Sequence, residues 1–194
     1  MILQKEYEIY KSALPSHYCN KIIEYCLRKQ QMKGTVGDSQ VSTNLRDSNV
    51  IFNNEYWLKL ILSYYINKAN KECGWNWNIG FLEDVQFTIY NPGQFYDWHC
   101  DSWEKPYDKP NTPLHNQIRK ISISIILSNE EDSDGGDFMI MSNKFMNQTV
   151  KNIKELNKQG SVLVFPSFMW HKVNKITKGV RYSLVGWNCG DQYI

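Results

Sequence analysis

The spacing of apolar residues changes once along this chain, from a helical period to a period of two. Before residue 82, apolar side chains recur every three or four positions in two segments, Tyr18 to Leu27 and Leu58 to Ala69. From Val85 onward, short stretches of alternating apolar and polar residues are separated by glycine-containing turns. Two helices followed by many short strands predict a mainly β protein, a sandwich or barrel behind a helical cover.

The predicted elements have recognisable boundaries. We expect Ser16 to cap the first helix and Gly74 to end the second. Val85, Phe87 and Ile89 alternate with polar residues, which predicts a strand with one buried face. A turn at Asn91-Pro92-Gly93 should follow this strand. Further strands are predicted over 94–99, 119–127, 138–141, 161–165 and 180–188, and long loops over 31–48 and 102–118.

Length and composition indicate an ordinary globular protein. A chain of 194 residues with 42% hydrophobic and 22% charged residues is expected to form one domain. We place a helical annex at 1–80 and a β core at 81–194. The net charge of +2, without a block of like charge, argues against a nucleic-acid groove. Nothing in the sequence fixes the oligomeric state.

The cysteines and the apolar runs bear on the compartment. Five scattered cysteines without a Cys-x-x-Cys pair predict free thiols in a reducing compartment. The first eleven residues, MILQKEYEIYK, carry charges where a signal peptide needs an apolar run. The strongest apolar stretch, 121–127, is too short to span a bilayer. We expect a soluble cytoplasmic protein without a membrane partner, and its richness in Asn, Lys and Ile hints at an AT-rich genome, such as a phage acting in a host cell.

Two histidines and one aspartate form a candidate metal site. His99 and Asp101 are two positions apart on a predicted strand, so their side chains should share a face. His171 follows a strand that ends in Val-Phe-Pro. Two imidazoles and a carboxylate on one side of a metal suit non-heme Fe(II). The alternatives are a surface His-x-Asp pair and a hydrogen-bonded core histidine. Strand alternation turns Cys100 to the opposite face, which excludes it as a ligand.

The last predicted strand carries a candidate anion site. Arg181, Ser183 and Trp187 share one face of it. An arginine that projects into a narrow barrel is costly unless it meets an anion. Its guanidinium, with a serine hydroxyl beside it, suits the distal carboxylate of 2-oxoglutarate. The alternative is a salt bridge to an acidic residue on the barrel wall.

Three segments carry a resemblance to a known family. They are QFTIYNPGQFYDWHCD, RKISISIILSNEEDSDGGDFMI and GSVLVFPSFMWHKVNKITKGVRYSLVGW. In this order they resemble the prolyl 4-hydroxylase branch of the 2-oxoglutarate- and Fe(II)-dependent dioxygenases, and most closely the PKHD-type hydroxylases. The resemblance extends from Leu82 to Asn188, slightly more than half of the chain. The segment around Arg46 and Ser48 is also similar to the family, but less distinctively.

The resemblance implies a double-stranded β-helix, or jelly roll, and a set of residue roles. Tyr90 or Ser183 would supply the hydroxyl beside Arg181, because Leu127 stands where some animal members place a second tyrosine. Many collagen-type members have Lys in place of Arg181. The implied roles are iron binding for His99, Asp101 and His171, co-substrate binding for Arg181, Tyr90 and Ser183, and substrate binding for Arg119 and Trp187.

The implied activity is hydroxylation of a peptidyl proline. The reaction would use Fe(II) as its cofactor and consume O2 and 2-oxoglutarate, with succinate and CO2 as products. Ascorbate would re-reduce the iron. The two long loops are candidate lids over a peptide or protein substrate. An aromatic groove for that substrate is expected from Trp98, Trp103, Tyr107 and Trp170, with ordinary packing as the alternative.

Two other functions remain open. An oxygenase of the same fold could act on a small metabolite or a methylated nucleobase. A nucleic-acid demethylase, however, usually has a second arginine soon after the co-substrate arginine, where this chain has Trp187. A cupin-like binding module without catalysis is the second alternative. The complete set of three metal ligands and Arg181 argues against it.

Overall fold

The computed structural model describes residues 3–36, 42–102, 105–142 and 148–193. Within these ranges the chain forms two helices, α1 (Ser16–Leu27) and α2 (Tyr56–Glu72). The strands are β1 (Glu8–Tyr10), β2 (Met32–Lys33), β3 (Arg46–Asp47), β4 (Asn49–Asn53), β5 (Val85–Tyr90), β6 (Phe95–His99), β7 (Ile118–Ile126), β8 (Ser133–Gly135), β9 (Phe138–Ser142), β10 (Thr149–Asn152), β11 (Val162–Pro166), β12 (His171–Val173), β13 (Ile176–Gly179) and β14 (Arg181–Gly190).

Two antiparallel sheets enclose a common interior. The larger has seven strands in the order β1-β11-β7-β14-β5-β4-β2, and the smaller has five in the order β10-β9-β12-β6-β3. Tyr90, Ile126 and Phe165 of the larger sheet belong to one buried cluster with Phe138 and Ile140 of the smaller sheet. The predicted fold class, a mainly β jelly roll with helices packed on it, is confirmed.

The larger sheet is buried on both faces. Its outer face packs against the helices, where Phe87 and Ile123 lie in one cluster with Leu58 and Leu62 of α2. All six residues of β5 are buried, including the polar ones that point to the interior. The prediction of one buried face for β5 was therefore wrong. The apolar residues of β5 face the helices, and its polar residues face the interior between the two sheets. Neither face of this strand is exposed to solvent.

The first 80 residues contribute strands as well as helices. β4 pairs with β5 over five residues, and β1 pairs with β11. The helical annex predicted at 1–80 thus contains strands that were not expected, because β1 has only three residues and β4, with the sequence NVIFN, does not alternate apolar with polar residues. The segment 31–48 likewise contains β2 and β3, while 37–41 lies outside the described residues. The assignment of 1–194 to a single domain stays a prediction.

The helix ends differ in one respect from expectation. α1 begins at Ser16 itself, after Pro15, and no side chain caps it. α2 ends at Glu72, so Gly74 follows its C-terminus as predicted. Neither helix is long and apolar enough to cross a membrane.

Candidate active site

The three candidate metal ligands lie close together at the adjoining ends of two neighbouring strands of the smaller sheet. His99 ends β6 and His171 begins β12, and the two residues face each other in the strand register. Asp101 lies in a bend two residues beyond His99, so the expectation that both share one strand was wrong. One ligand atom of each residue nevertheless lies within 4.8 Å of the other two. The Asp101 carboxylate is 3.9 Å from His99 Nε2 and 3.6 Å from His171 Nε2.

Both imidazoles are oriented by backbone carbonyls. His99 Nδ1 lies 2.7 Å from the Asp97 carbonyl oxygen, and His171 Nδ1 lies 2.9 Å from that of Met169. A carbonyl oxygen can only accept, so each Nδ1 carries the proton and each Nε2 keeps its lone pair free. Histidines that bind metals are usually held in this way. The donor set therefore fits a divalent cation.

Burial keeps the His99 ring neutral. The ring stacks on Tyr96 with 3.4 Å between the ring centroids. Burial, followed by the neighbouring His171, lowers the pKa of His99 to about 3. Burial also opposes ionisation of Asp101, but the two imidazoles, Arg119 and a hydrogen bond from Ser122 hold its pKa below the ordinary value. Neutral imidazole and ionised carboxylate are the forms that ligate a metal.

Arg181 is a buried cation in the interior of the jelly roll. It is only 4% exposed, and it lies opposite Tyr90 in the pairing of β14 with β5. Its guanidinium carbon is 5.7 Å from the centre of the Tyr90 ring. Among the described residues, the Arg181 side chain has no ion pair and no hydrogen bond, so the alternative of a salt bridge to the barrel wall is not realised there. Burial lowers the pKa of Arg181, and a ligand anion would relieve this cost.

The hydroxyls beside Arg181 come from two strands. Ser183 is buried on β14 and lies opposite Thr88 and Ile126. Neither the Ser183 hydroxyl nor the Tyr90 hydroxyl bonds to a described residue, so both remain available to a ligand. Leu127 packs in the cluster under the helices, whereas Ile126 lines a cavity of about 190 Å³ together with Arg181. The β7 side chain beside the arginine is thus Ile126, and the position expected for Leu127 was wrong.

A glycine makes room for the arginine side chain. Gly136 has a φ of +70°, and a Cβ atom there would lie 2.3 Å from Ile176 Cδ1 and 2.9 Å from Arg181 Cδ. Gly93 has a similar φ of +89°, but nothing lies within 4 Å of its Cβ position. Both positions strain any other residue, but only Gly136 also needs the space.

The pair gives a matched prediction. Gly93→Ala should lower the free energy of unfolding by about 1 kcal/mol, the cost of left-handed backbone for a residue with Cβ. Gly136→Ala should cost about 1–3 kcal/mol more, because the added methyl overpacks Ile176 and the Arg181 stem. Urea unfolding of both variants measures the difference. Equal losses would show that the contacts at Gly136 are unimportant.

Arg119 is held by a carboxylate that the sequence did not point to. Its Nε and Nη2 donate to the two oxygens of Glu83 at 2.6 and 2.7 Å, and its guanidinium carbon lies 4.0 Å from the centre of the Trp187 ring. Glu83 also accepts from the Tyr107 hydroxyl at 3.1 Å, which ties the loop 105–117 to the barrel. The Trp187 Nε1 atom is buried and has no hydrogen-bond partner among the described residues. It is free to donate to a bound group.

Arg46 is a further buried cation near the candidate ligands. Its Nε donates to Ser48 Oγ at 2.9 Å, and its guanidinium carbon lies 4.6 Å from the centre of the Tyr96 ring that stacks on His99. No role could be predicted for Arg46 from the sequence, because it lies in an aperiodic segment far from the other site residues.

The rings expected to form an aromatic groove have separate contacts, and the groove stays a prediction. Trp98 contacts Lys172, Tyr107 bonds to Glu83, and Trp170 is 46% exposed. These three rings make no contact with one another, and Trp103 lies outside the described residues. The Cys100 thiol points to the Ser102 carbonyl and is not part of the metal cluster, as predicted.

Solved structures with a similar fold include prolyl hydroxylases. A prolyl-4-hydroxylase from Pseudomonas putida matches with a TM-score of 0.71 and 17% identity, over 94% of this chain and 91% of that chain. A prolyl hydroxylase from Trichoplax adhaerens, in complex with a peptide fragment of the hypoxia inducible factor oxygen degradation domain, matches with a TM-score of 0.73 and 17% identity. That match covers 94% of this chain and 83% of the other. At this level of identity the likeness concerns the fold.

Sequence relatives point in the same direction. A PKHD-type hydroxylase of Alteromonas mediterranea is 33% identical over 102 residues, which are 52% of this chain and 41% of the relative. The chain spans about two fifths of the length of the curated relatives it matches. The sequence profile described as the 2OG-Fe(II) oxygenase superfamily, whose members use Fe(II) and 2-oxoglutarate, matches residues 85–189, slightly more than half of the chain. The chain therefore belongs to the 2OG-Fe(II) oxygenase superfamily.

Proposed function

We propose that this protein is a hydroxylase in which His99, Asp101 and His171 hold the Fe(II). The convergence of these three ligand atoms within 4.8 Å carries the proposal. Bound Fe(II), with O2 and 2-oxoglutarate, supplies oxidative decarboxylation to succinate and CO2 coupled to hydroxylation of a C–H bond. The protein orients the two imidazoles through their Nδ1 protons, and burial keeps the His99 ring neutral.

Arg181 binds the distal carboxylate of 2-oxoglutarate in this proposal. Its support is a buried guanidinium without a counter-ion in the described part of the chain. Tyr90 is the stronger candidate for the assisting hydroxyl, because its ring lies directly opposite Arg181 in the strand register. Ser183 lies on the same face of β14 and offers the second hydroxyl.

The substrate is a proline in a peptide or protein. The names of the relatives and the peptide in the Trichoplax adhaerens complex support this choice. So do the free Nε1 donor of Trp187 and the Arg119 guanidinium stacked on that ring, since peptide carbonyls are acceptors. Ascorbate maintains the reduced iron between turnovers.

Succinate formation with defined peptides tests the proposal. Enzyme, Fe(II), 2-oxoglutarate and ascorbate are incubated with proline-rich peptides and with matched peptides that carry alanine instead. Proline peptides should raise succinate formation and gain the mass of one oxygen atom. If a metabolite or a methylated base stimulates instead, the prolyl assignment fails and the oxygenase assignment stands. If the protein neither binds metal nor consumes 2-oxoglutarate, it is a non-catalytic jelly roll.

The role of Arg119 gives a second prediction. Arg119→Ala should retain metal and 2-oxoglutarate binding but lose most peptide-stimulated succinate formation, because the contact with the peptide is lost. The single change also leaves Glu83 without its partner, so the double variant Glu83→Gln/Arg119→Ala is measured beside it. Restored stability without restored peptide stimulation is the expected result. If the double variant regains peptide stimulation, Arg119 serves only to balance Glu83.

A further inference from the structure

Asp101 is the one candidate ligand that no strand holds in place. It lies beyond the end of β6, in a bend, so the sheet register does not fix its position. Its backbone N–H and that of Ser102 both donate to the Ser167 carbonyl, at 2.8 and 3.0 Å. Ser167 follows β11 and donates its own N–H to the Lys120 carbonyl on β7 at 2.9 Å. The bend is thus tied to the larger sheet through Ser167.

The Asp101 side chain is held by the same residues through a chain of hydroxyls. Ser122 Oγ lies 2.7 Å from Asp101 Oδ2, and the Ser122 and Ser167 hydroxyls are 2.9 Å apart. An ionised carboxylate can only accept, so Ser122 donates its single proton to Asp101. Ser167 must then donate to Ser122. The Asp101 carboxylate therefore fixes the direction in which both hydroxyls donate.

The two serine hydroxyls are buried, and the chain of hydrogen bonds that they form ends at one oxygen of the Asp101 carboxylate. Ser122 and Ser167 are both fully buried. The Ser122 hydroxyl donates to Asp101 Oδ2, and none of the described residues donates to the other oxygen, Oδ1. A buried hydrogen bond to a carboxylate is stronger than one between neutral groups, and it fixes the rotation of the carboxyl group.

We propose that Ser122 and Ser167 are positioning residues that orient Asp101 as a monodentate iron ligand. The proposal rests on the proposed function of the His99, Asp101 and His171 cluster. Neither serine touches the metal. They act by holding the ligand that the sheet leaves unsupported. Partners of this kind typically contribute about 10–100-fold to metal affinity.

Binding of Mn(II) to the metal-free protein, without 2-oxoglutarate, tests this without any turnover. The dissociation constant is measured from the free Mn(II) signal in electron paramagnetic resonance. Ser122→Ala should weaken Mn(II) binding about 10–100-fold. Ser124→Ala is the matched control, because Ser124 is the next buried serine on the same face of β7 and bonds to no described side chain. Its affinity should stay at the wild-type value.

A double-mutant cycle distinguishes two serines that act in series on Asp101 from two serines that act independently. If Ser167 acts on Asp101 through Ser122, then Ser122→Ala/Ser167→Ala should lose no more Mn(II) affinity than Ser122→Ala alone. Ser167→Ala by itself should give a smaller loss. Additive losses would overturn the ordered chain.

The outcomes also distinguish this proposal from the proposed function. If the wild type does not bind Mn(II) through the three ligands, the proposed function itself fails. If the wild type binds and folded Ser122→Ala binds equally well, only the positioning role is overturned. Should Ser122→Ala not fold, Ser167→Ala decides the matter: a loss of affinity supports the chain, and wild-type affinity overturns it.

Discussion

Arg181→Ala should nearly abolish 2-oxoglutarate binding while Fe(II) or Mn(II) binding is retained. The Arg181 guanidinium is buried and has no counter-ion among the described residues, so the ligand carboxylate is its expected partner. Truncating one member of a buried ion pair costs about 3–5 kcal/mol, because the other charge is left unpaired. The dissociation constant for 2-oxoglutarate should therefore rise roughly 150-fold to 5,000-fold.

Titration of 2-oxoglutarate into the anaerobic metal complex measures this effect. Arg181→Lys is the matched variant, because it keeps the charge but loses the bidentate fork. It should bind more weakly than the wild type and more tightly than Arg181→Ala. Unchanged affinity in Arg181→Ala would mean that another group holds the carboxylate.

His171→Ala should remove the metal. His171 is one of the three candidate ligands found among the described residues, and its Nε2 lies 3.6 Å from Asp101. Loss of a direct ligand should cost more than loss of a supporting hydrogen bond, so we expect Mn(II) affinity to fall by more than about 100-fold. Calorimetric titration with Mn(II), and metal content after purification, measure the change.

His115→Ala is the control for this experiment. His115 is exposed on the loop 105–117 and lies outside the cluster of candidate ligands. Its replacement should leave Mn(II) affinity at the wild-type value. If His171→Ala keeps wild-type affinity while folded, the metal is held elsewhere and the proposed function is wrong.

The fold was predictable where the chain repeats a pattern often enough. The stripe of apolar residues along α2 and the alternation in β5 and β7 indicated a β protein covered by helices. β1 and β4 were missed, because β1 has only three residues and β4 does not alternate apolar with polar residues, so only their pairing partners identify them as strands. Those partners lie far along the chain.

The residues of the candidate site likewise fall into those that could be predicted from the sequence and those that could not. His99 and Asp101 could be found because their spacing is short, although the strand argument placed Asp101 wrongly. Ser122 and Glu83 could not be found, since their roles come from contacts with residues 21 and 36 positions away. Nothing in the local sequence of either residue marks such a contact.

The pairing of β1 with β11 also sets a condition on synthesis. Glu8 lies opposite Val164, so one edge of the larger sheet joins residues more than 150 positions apart. Until β7, β11 and β14 have left the ribosome, the apolar faces of α1 and α2 have no sheet to cover them. A topology dominated by such distant contacts folds slowly. The nascent chain must therefore stay free of aggregation until these strands have been synthesised and the jelly roll can close.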